Sequence, residues 1–142
     1  NINVPTIVFA DARKVAGEWQ AILATRELKG FTDLECWYNH GGRKRLGEQQ
    51  HEQFLLQLGR VLGLLHSHHW QHTCLYPKHI FVTQGDATQL PEIALIDLEK
   101  ARRRIFTSHA ARRDLDQLRR HSLMWNEQDW QILLTGHNEA RQ

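Results

Sequence analysis

The sequence predicts an α+β domain in which short hairpins flank a mainly helical body. Three observations lead to this fold class. Apolar strand-like segments lie on either side of a glycine turn near the N-terminus, an apolar stripe with helical spacing crosses the middle of the chain, and two short apolar runs separated by turn residues follow it. The 142 residues, 41% hydrophobic and 24% charged, have the composition of one globular domain, which excludes disordered, collagen-like and low-complexity proteins.

The first predicted elements are two strands, over residues 5–9 and 19–24, where β-branched, aromatic and other apolar residues concentrate. The polar segment 11–18 contains Gly17 and is predicted to turn the chain, so that the two strands form a hairpin. Thr32 is predicted to cap a short helix that runs through Trp37. Residues 41–45 begin with two glycines and are predicted to form the loop that ends this helix.

The clearest predicted element is a long helix over residues 49–69. Its apolar residues recur at steps of four, three, one and three, as one helix face requires: Phe54, Leu58, Val61, Leu62 and Leu65. A polar loop, residues 72–78, follows this helix. Strands over 80–83 and 92–97, joined through the turn residues Gly85 and Asp86, are predicted to form a second hairpin with that loop at its mouth.

Two helices are predicted to complete the domain after a basic stretch at residues 100–104. The first runs over residues 113–121 and carries Leu115 and Leu118 on its apolar face. The second begins after Asn126 as its N-cap, packs Trp130 into the core and ends at Gly136.

Charge and cysteine content narrow the functional classes. The formal net charge of +2 is too small for general coating of nucleic acid, and no apolar run approaches the roughly 20 residues that a membrane-spanning helix needs. Cys36 and Cys74 are too few for a disulfide framework, so we expect reduced thiols in a cytoplasmic protein. The chain begins at Asn1 and its only methionine is Met124, so we expect it to be part of a longer protein.

Three short motifs resemble those of a known family. The segments HTCLYPKH (72–79) and LIDLE (95–99) are similar to the catalytic loop and the metal-binding segment of protein kinases. More closely, LYPKHIFV (75–82), LIDLEKA (95–101) and RDL (113–115) together resemble the lipopolysaccharide kinase family of the Kdo/WaaP type, especially its InaA-like branch. The resemblance implies a protein-kinase-like fold, with residues 1–31 as the remnant of the N-terminal lobe and hinge and residues 32–142 as the C-terminal lobe.

The resemblance also implies an activity: ATP-dependent phosphorylation, with Mg²⁺, of sugars in the lipopolysaccharide core at the cytoplasmic face of the inner membrane. Asp97 matches the metal-binding aspartate, although a carboxylate at a strand end also commonly caps the following turn. His79 takes the position of the family's metal-binding asparagine, and His72 and Asp114 match residues with structural roles. The predicted nucleotide-binding residues are Arg26 and Leu28, from the hinge-like segment 22–31, and Lys78.

Cys74 is the main departure from the family pattern, because it stands where the catalytic aspartate belongs. A neutral thiol, with an ordinary pKa of about 8.5, does not orient an alcohol as a carboxylate does. This favours an alternative function, that of a non-catalytic kinase-like (pseudokinase) binding or stress-response module. The glycine-rich phosphate loop and the strand lysine of kinases are also missing from residues 1–142, so this chain alone is expected to bind ATP poorly.

Two further clusters compete for a function. A group of histidines and one cysteine spans residues 66–79. Helical spacing would pair His66 with His69, or His68 with His72, as ligands for a metal such as Zn²⁺. The alternative is that these histidines lie near the C-terminus of the helix, where they interact favourably with the helix dipole. A basic region follows Asp97 and comprises Lys100, Arg102, Arg103, Arg104, Arg112, Arg113, Arg119 and Arg120. We interpret this region as a surface that captures an anionic substrate, such as a phosphorylated sugar-lipid, or contacts the membrane. Nucleic acid is a second possible ligand. The third interpretation is a solvated helix face that binds no ligand.

The strand edges of the predicted N-terminal hairpin lead to a further prediction. Two strands leave unpaired edges, and exposed edges invite pairing with another chain. We therefore expect the hairpin either to be mobile or to be covered by strand exchange in a homodimer.

Overall fold

The N-terminal hairpin is longer than predicted. In the computed structural model, which describes residues 1–142, β1 (Ile7–Val15) and β2 (Glu18–Thr25) pair in antiparallel fashion with Val15 opposite Glu18. Only Ala16 and Gly17 turn the chain, both with the positive φ that a tight two-residue hairpin turn requires. The prediction of a polar turn over residues 11–18 is wrong, because most of these residues belong to the two strands. Both faces of the hairpin are exposed, so this segment lacks the alternation of apolar and polar residues that would have indicated a strand.

The first helices also differ from the prediction. Thr32 is not the N-cap; it belongs to β3 (Thr32–Asp33), and the Asp33 carboxylate caps α1 (Leu34–Asn39) by accepting a 2.8 Å hydrogen bond from the Cys36 N–H. Residues 41–45 are not a loop, since α2 (Gly42–Leu46) occupies them. A Cβ at Gly42 would lie 2.2 Å from the Trp37 ring, so this tertiary contact holds a helical turn where two glycines suggest a loop.

The long central helix is confirmed as α3 (Glu48–Ser67), and it packs closely against α5 (Glu127–Glu139). A Cβ at Gly59 would lie 2.1 Å from the Leu133 carbonyl oxygen, and one at Gly136 would lie 2.1 Å from that of Leu56. Asn126 caps α5 as predicted, but the helix does not end at Gly136, because that glycine serves the helix contact rather than a C-terminus.

The second hairpin is confirmed as β5 (Ile80–Val82) and β6 (Ile93–Leu95), which with β3 form a three-stranded antiparallel sheet. β4 (Trp70–Gln71) pairs with β7 (Arg102–Arg103) and so fixes the basic stretch beside the end of α3. The next helix, α4 (Thr107–His121), begins six residues earlier than predicted, because buried Ala110 and Ala111 anchor its first turn.

One backbone bridge joins the N-terminal segment to the helical body. Asn3 pairs with Ala94 of β6, and the Asn3 carbonyl oxygen accepts a 3.0 Å hydrogen bond from the Leu95 N–H. The bridge places the hairpin over the C-terminal end of β6 and leaves a cleft between them. None of the helices combines the length and the apolar character needed to cross a membrane.

Candidate functional site

The loop between β4 and β5 is held by one buried carboxylate. Asp114 of α4 accepts hydrogen bonds from the backbone N–H groups of His72, at 2.6 Å, and Thr73, at 3.0 Å. Thr73 has a φ of 68°, an uncommon backbone conformation for a β-branched residue, which these bonds stabilise. Asp114 therefore braces the loop, as the sequence predicted.

The His72 ring ties the same loop to the segment that carries Asp97. Burial lowers the pKa of His72, so the ring is neutral near pH 7. Its Nε2–H donates to the Ile96 carbonyl oxygen at 2.9 Å, which leaves Nδ1 to accept a 3.4 Å hydrogen bond from the Cys74 N–H. His72 thus sets the position of Cys74 relative to Asp97.

Three of the predicted site residues come together at the end of this loop. His79 Nδ1 donates to the Cys74 carbonyl oxygen at 2.6 Å, and His79 Nε2 lies 3.4 Å from Asp97 Oδ2. In a neutral imidazole that donates through Nδ1, Nε2 carries a lone pair. A lone pair facing a carboxylate is unfavourable, so a cation bound at Asp97 would stabilise this contact.

Asp97 lies at the edge of a cleft of about 520 Å³ between the N-terminal hairpin and the residues after β6. The lining residues come from both sides: Val4, Pro5, Ile7, Leu23, Thr25, Leu95, Ile96, Asp97, Leu98 and Glu99. Apolar walls with two carboxylates, Asp97 and Glu99, at one edge suit a ligand that has an apolar ring and an end that carries or binds a cation.

Three predicted nucleotide-binding residues do not line this cleft. Lys78 is exposed, lies over the Tyr76 ring with its Nζ 5.6 Å from the centroid, and lines another hollow beside His121. Arg26 is exposed in the segment after β2, where its backbone N–H donates to the Thr6 carbonyl oxygen at 2.7 Å. Leu28 is half-buried in that segment. The structure therefore groups Cys74, His79 and Asp97 and leaves these three apart.

Two buried histidines complete the support of the loop: His66, which the sequence offered only as a candidate metal ligand, and His137, which the sequence did not point to. His66 Nε2 lies 3.2 Å from Asp114 Oδ2, and His66 Nδ1 lies 2.9 Å from His137 Nε2. His66 follows Gly59 and Leu62 at helical spacing, so its place on the buried face of α3 was open to prediction. Its partner was not, because His137 lies 71 residues further along the chain.

The histidine metal site that the sequence left open as an alternative is not formed. His66 is wholly buried in the Asp114 network, and the rings of His68 and His69 hydrogen-bond to the carbonyl oxygens of Leu64 and Arg104. No group of three or more metal-ligating side chains occurs in the structure. Helical spacing places two rings on one face of a helix but does not show which groups already bond to them.

The residues present fit a nucleotide-bound Mg²⁺ through Asp97 alone. This ion is commonly held by one or two carboxylates together with substrate phosphates and water. His79 does not fit as a second ligand, since Mg²⁺ prefers oxygen ligands; its Nε2 lies 3.4 Å from Asp97 Oδ2.

Comparison with known proteins shows which sequences and folds this chain is similar to. Residues 1–137 match the model of the "Lipopolysaccharide kinase (Kdo/WaaP) family". The chain is 34% identical to protein InaA of Escherichia coli (strain K12) over 129 residues, which are 90% of this chain and 58% of that protein. It is 29% identical to 3-deoxy-D-manno-octulosonic acid kinase of Pasteurella multocida (strain Pm70), over 94% of this chain and 55% of that protein.

A solved structure shares the fold. It is described as WaaP in complex with acyl carrier protein, and it superposes with a TM-score of 0.79 at 21% identity, over 97% of this chain and 60% of that one. The predicted kinase-like α+β fold is thereby confirmed. The chain spans little more than half the length of the curated relatives it matches.

Proposed function

This chain belongs to the lipopolysaccharide kinase (Kdo/WaaP) family, and from that premise we propose that its protein transfers the terminal phosphoryl group of ATP to a sugar hydroxyl of the lipopolysaccharide core. The bond from the terminal phosphorus to the bridging oxygen breaks, a bond to the acceptor oxygen forms, and the hydroxyl proton is released. The reaction takes place at the cytoplasmic face of the inner membrane, where such an acceptor is presented.

One observation carries this proposal: the His79 ring contacts both the Cys74 carbonyl oxygen and the Asp97 carboxylate, and Asp97 lines the cleft under the N-terminal hairpin. Asp97 is the carboxylate available for a cation, and Mg²⁺, when bound there with ATP, would neutralise charge on the phosphates. His79 orients the Asp97 carboxylate from one side, and its other nitrogen anchors on the Cys74 backbone. His72 and Asp114 hold the loop, so that these groups keep their separation.

A second candidate function, a non-catalytic binding module, is favoured by Cys74 itself. No carboxylate occupies that position, and Asp114 is unable to replace it, because its oxygens accept hydrogen bonds from His72, Thr73 and His66. Under this alternative the protein retains the kinase-like fold and ligand cleft but lacks the group that positions the acceptor hydroxyl.

Titration with Mg-ATP tests the proposed nucleotide site. In the intact protein, Asp97→Asn is expected to weaken binding at least tenfold, about 1.4 kcal/mol, because it removes the charge that the cation needs. Asp11→Asn, on the exposed face of β1, is the matched control and should bind as the wild type does. Equal affinity in Asp97→Asn and wild type would refute the kinase interpretation of this site.

Replacing Cys74 with Asp separates the two candidates. A carboxylate at this position supplies a general base worth roughly 10² to 10⁴ in rate, so Cys74→Asp in the intact protein should turn over a sugar acceptor faster than wild type by about that factor. If wild type already works at kinase-like rates and Cys74→Asp changes nothing, another residue performs the step and the non-catalytic alternative is wrong.

A further inference from the structure

The basic region forms a groove that the proposed phosphoryl transfer does not use. The groove runs between β7 and α4 beside the loop that carries Cys74, and it encloses about 460 Å³. Every lining residue is polar: Gln71, Thr73, Arg102, Arg104, Arg113, Asp116, Gln117 and Arg120. A second hollow shares Gln71, Arg104 and Arg113 with this wall and adds Arg103, Ile105, Phe106 and His109.

The arginines of this groove lack carboxylate partners. Arg43, Arg60 and Arg119 elsewhere on the surface each form an ion pair of 2.6–2.8 Å, whereas no groove arginine has a carboxylate oxygen within 4.0 Å. Four guanidinium groups therefore share one concave surface with a single acidic residue, Asp116. Such a group of like charges is unfavourable until an anion is bound between them.

Hydrogen bonds hold several of the groove's side chains in place. Arg104 Nε donates to Gln71 Oε1 at 2.7 Å, and Gln71 is itself buried. Gln117 Oε1 accepts a 3.1 Å bond from the Leu75 N–H and so ties the groove to the same loop. The terminal nitrogens of Arg104, and the whole guanidinium of Arg102 and of Arg113, have no partner in the protein and are free to bind a ligand.

The chemistry of the groove selects its ligand. Guanidinium groups bind phosphate through paired N–H donors, and several of them together match an oxyanion with more than one charge. The lining of the groove itself contains no aromatic side chain on which a nucleic acid base could stack; the nearest rings, Phe106 and His109, belong to the second hollow. A compact phosphate group is therefore a better fit than a nucleic acid strand.

We infer that the groove binds a phosphate group already present on the acceptor, so that the substrate is a phosphorylated glycan or glycolipid. The inference rests on the proposed phosphotransferase function and adds to it the class of acceptor. Thr73 lines the groove and is the immediate neighbour of Cys74. An acceptor anchored by its phosphate in the groove thus lies beside the loop where phosphoryl transfer is proposed.

Calorimetric titration at constant ionic strength, without ATP or Mg²⁺, tests this inference in the intact protein. The probes are inorganic phosphate, glucose 1-phosphate, and vesicles of phosphatidylcholine with and without phosphatidic acid. We expect saturable binding of glucose 1-phosphate that the double variant Arg102→Gln, Arg113→Gln weakens at least tenfold. Arg112→Gln is the matched control, because this exposed neighbour of Arg113 lines neither hollow and should change affinity less than twofold.

The probes distinguish the sources of the phosphate. Binding of the soluble sugar phosphate supports a glycan phosphate, whereas groove-dependent binding confined to vesicles with phosphatidic acid supports a phosphate at the lipid surface. Arg113→Lys, which keeps the charge but loses the paired donors, should show an intermediate affinity. Absence of saturable binding to every probe, or equal losses in Arg112→Gln and the double variant, would overturn the inference.

Failure of this inference is distinguishable from failure of the proposed function. Asp97→Asn lies outside the groove and should leave binding of glucose 1-phosphate unchanged even though it weakens binding of Mg-ATP. Conversely, loss of phosphate binding in the groove variant should leave the Mg-ATP affinity intact.

Discussion

The buried pair His66 and His137 should make the stability of this protein depend on pH. The Asp114 carboxylate only accepts, so His66 Nε2–H donates to it. The remaining nitrogen of a neutral His66, Nδ1, then accepts from His137 Nε2–H at 2.9 Å. Protonation of His137 would add a charge, besides that of the Asp114 carboxylate, in a buried site from which water is excluded.

The magnitude follows from the pKa of His137. Burial, and then the electrostatic effect of the neighbouring His66, lower the pKa of His137 to about 4, whereas an unfolded histidine titrates near 6.5. Between those values the unfolded chain binds a proton that the folded protein does not, so stability falls as the pH falls. At about 1.36 kcal/mol for each pKa unit, His137 contributes about 3 kcal/mol that is complete above pH 6.5 and lost by pH 4.

Urea denaturation between pH 4.5 and 8 measures this contribution. His137→Gln keeps an amide donor for His66 but has no titration, so its free energy of unfolding should fall less steeply below pH 6.5 than that of wild type. His72 and His51, whose pKa values burial also lowers, remain in both proteins and cancel in the difference. His109→Gln, at an exposed position of α4, controls for loss of a histidine as such. Parallel curves for wild type and His137→Gln would refute the reasoning.

Two other predictions concern packing and the strand edges. Gly59→Ala should lower the free energy of unfolding by about 1 to 3 kcal/mol in urea titrations, because the added methyl would overlap the Leu133 carbonyl; this outweighs the better helix propensity of alanine. Gln53→Ala, at an exposed position of the same helix, is the control and should not lower it. A Gly59→Ala variant as stable as wild type would disprove the close contact. The side chain of Trp19 in the hairpin of β1 and β2 is 75% exposed. The amide hydrogens of this hairpin should therefore exchange rapidly in a monomer or be protected in a dimer. Slow exchange over residues 5–24 in a species that light scattering shows to be monomeric would contradict this.

Elements whose cause lies within a few residues were predictable from the sequence. The apolar spacing from Phe54 to Leu65 depends only on the helical repeat, and that helix is present as α3. Asn126 caps α5 because a side chain and the N–H groups of the next turn are all the cap requires. The motifs around Cys74 and Asp97 pointed to a kinase-like loop, and the structure brings these residues together through His79.

The tertiary structure alone decided the features that join distant segments. Gly136 continues α5, because the backbone of α3 lies against it, and α2 forms because the Trp37 ring packs on Gly42. His66 became a support of the loop only when folding brought His137 to its ring. The sequence by itself determined the helix periods, the caps and the family motifs, since these depend on neighbours in the chain. Whether a histidine binds a metal or a carboxylate, and whether arginines face solvent or one another across a groove, was decided by long-range packing, because local periodicity holds no information about partners from distant segments.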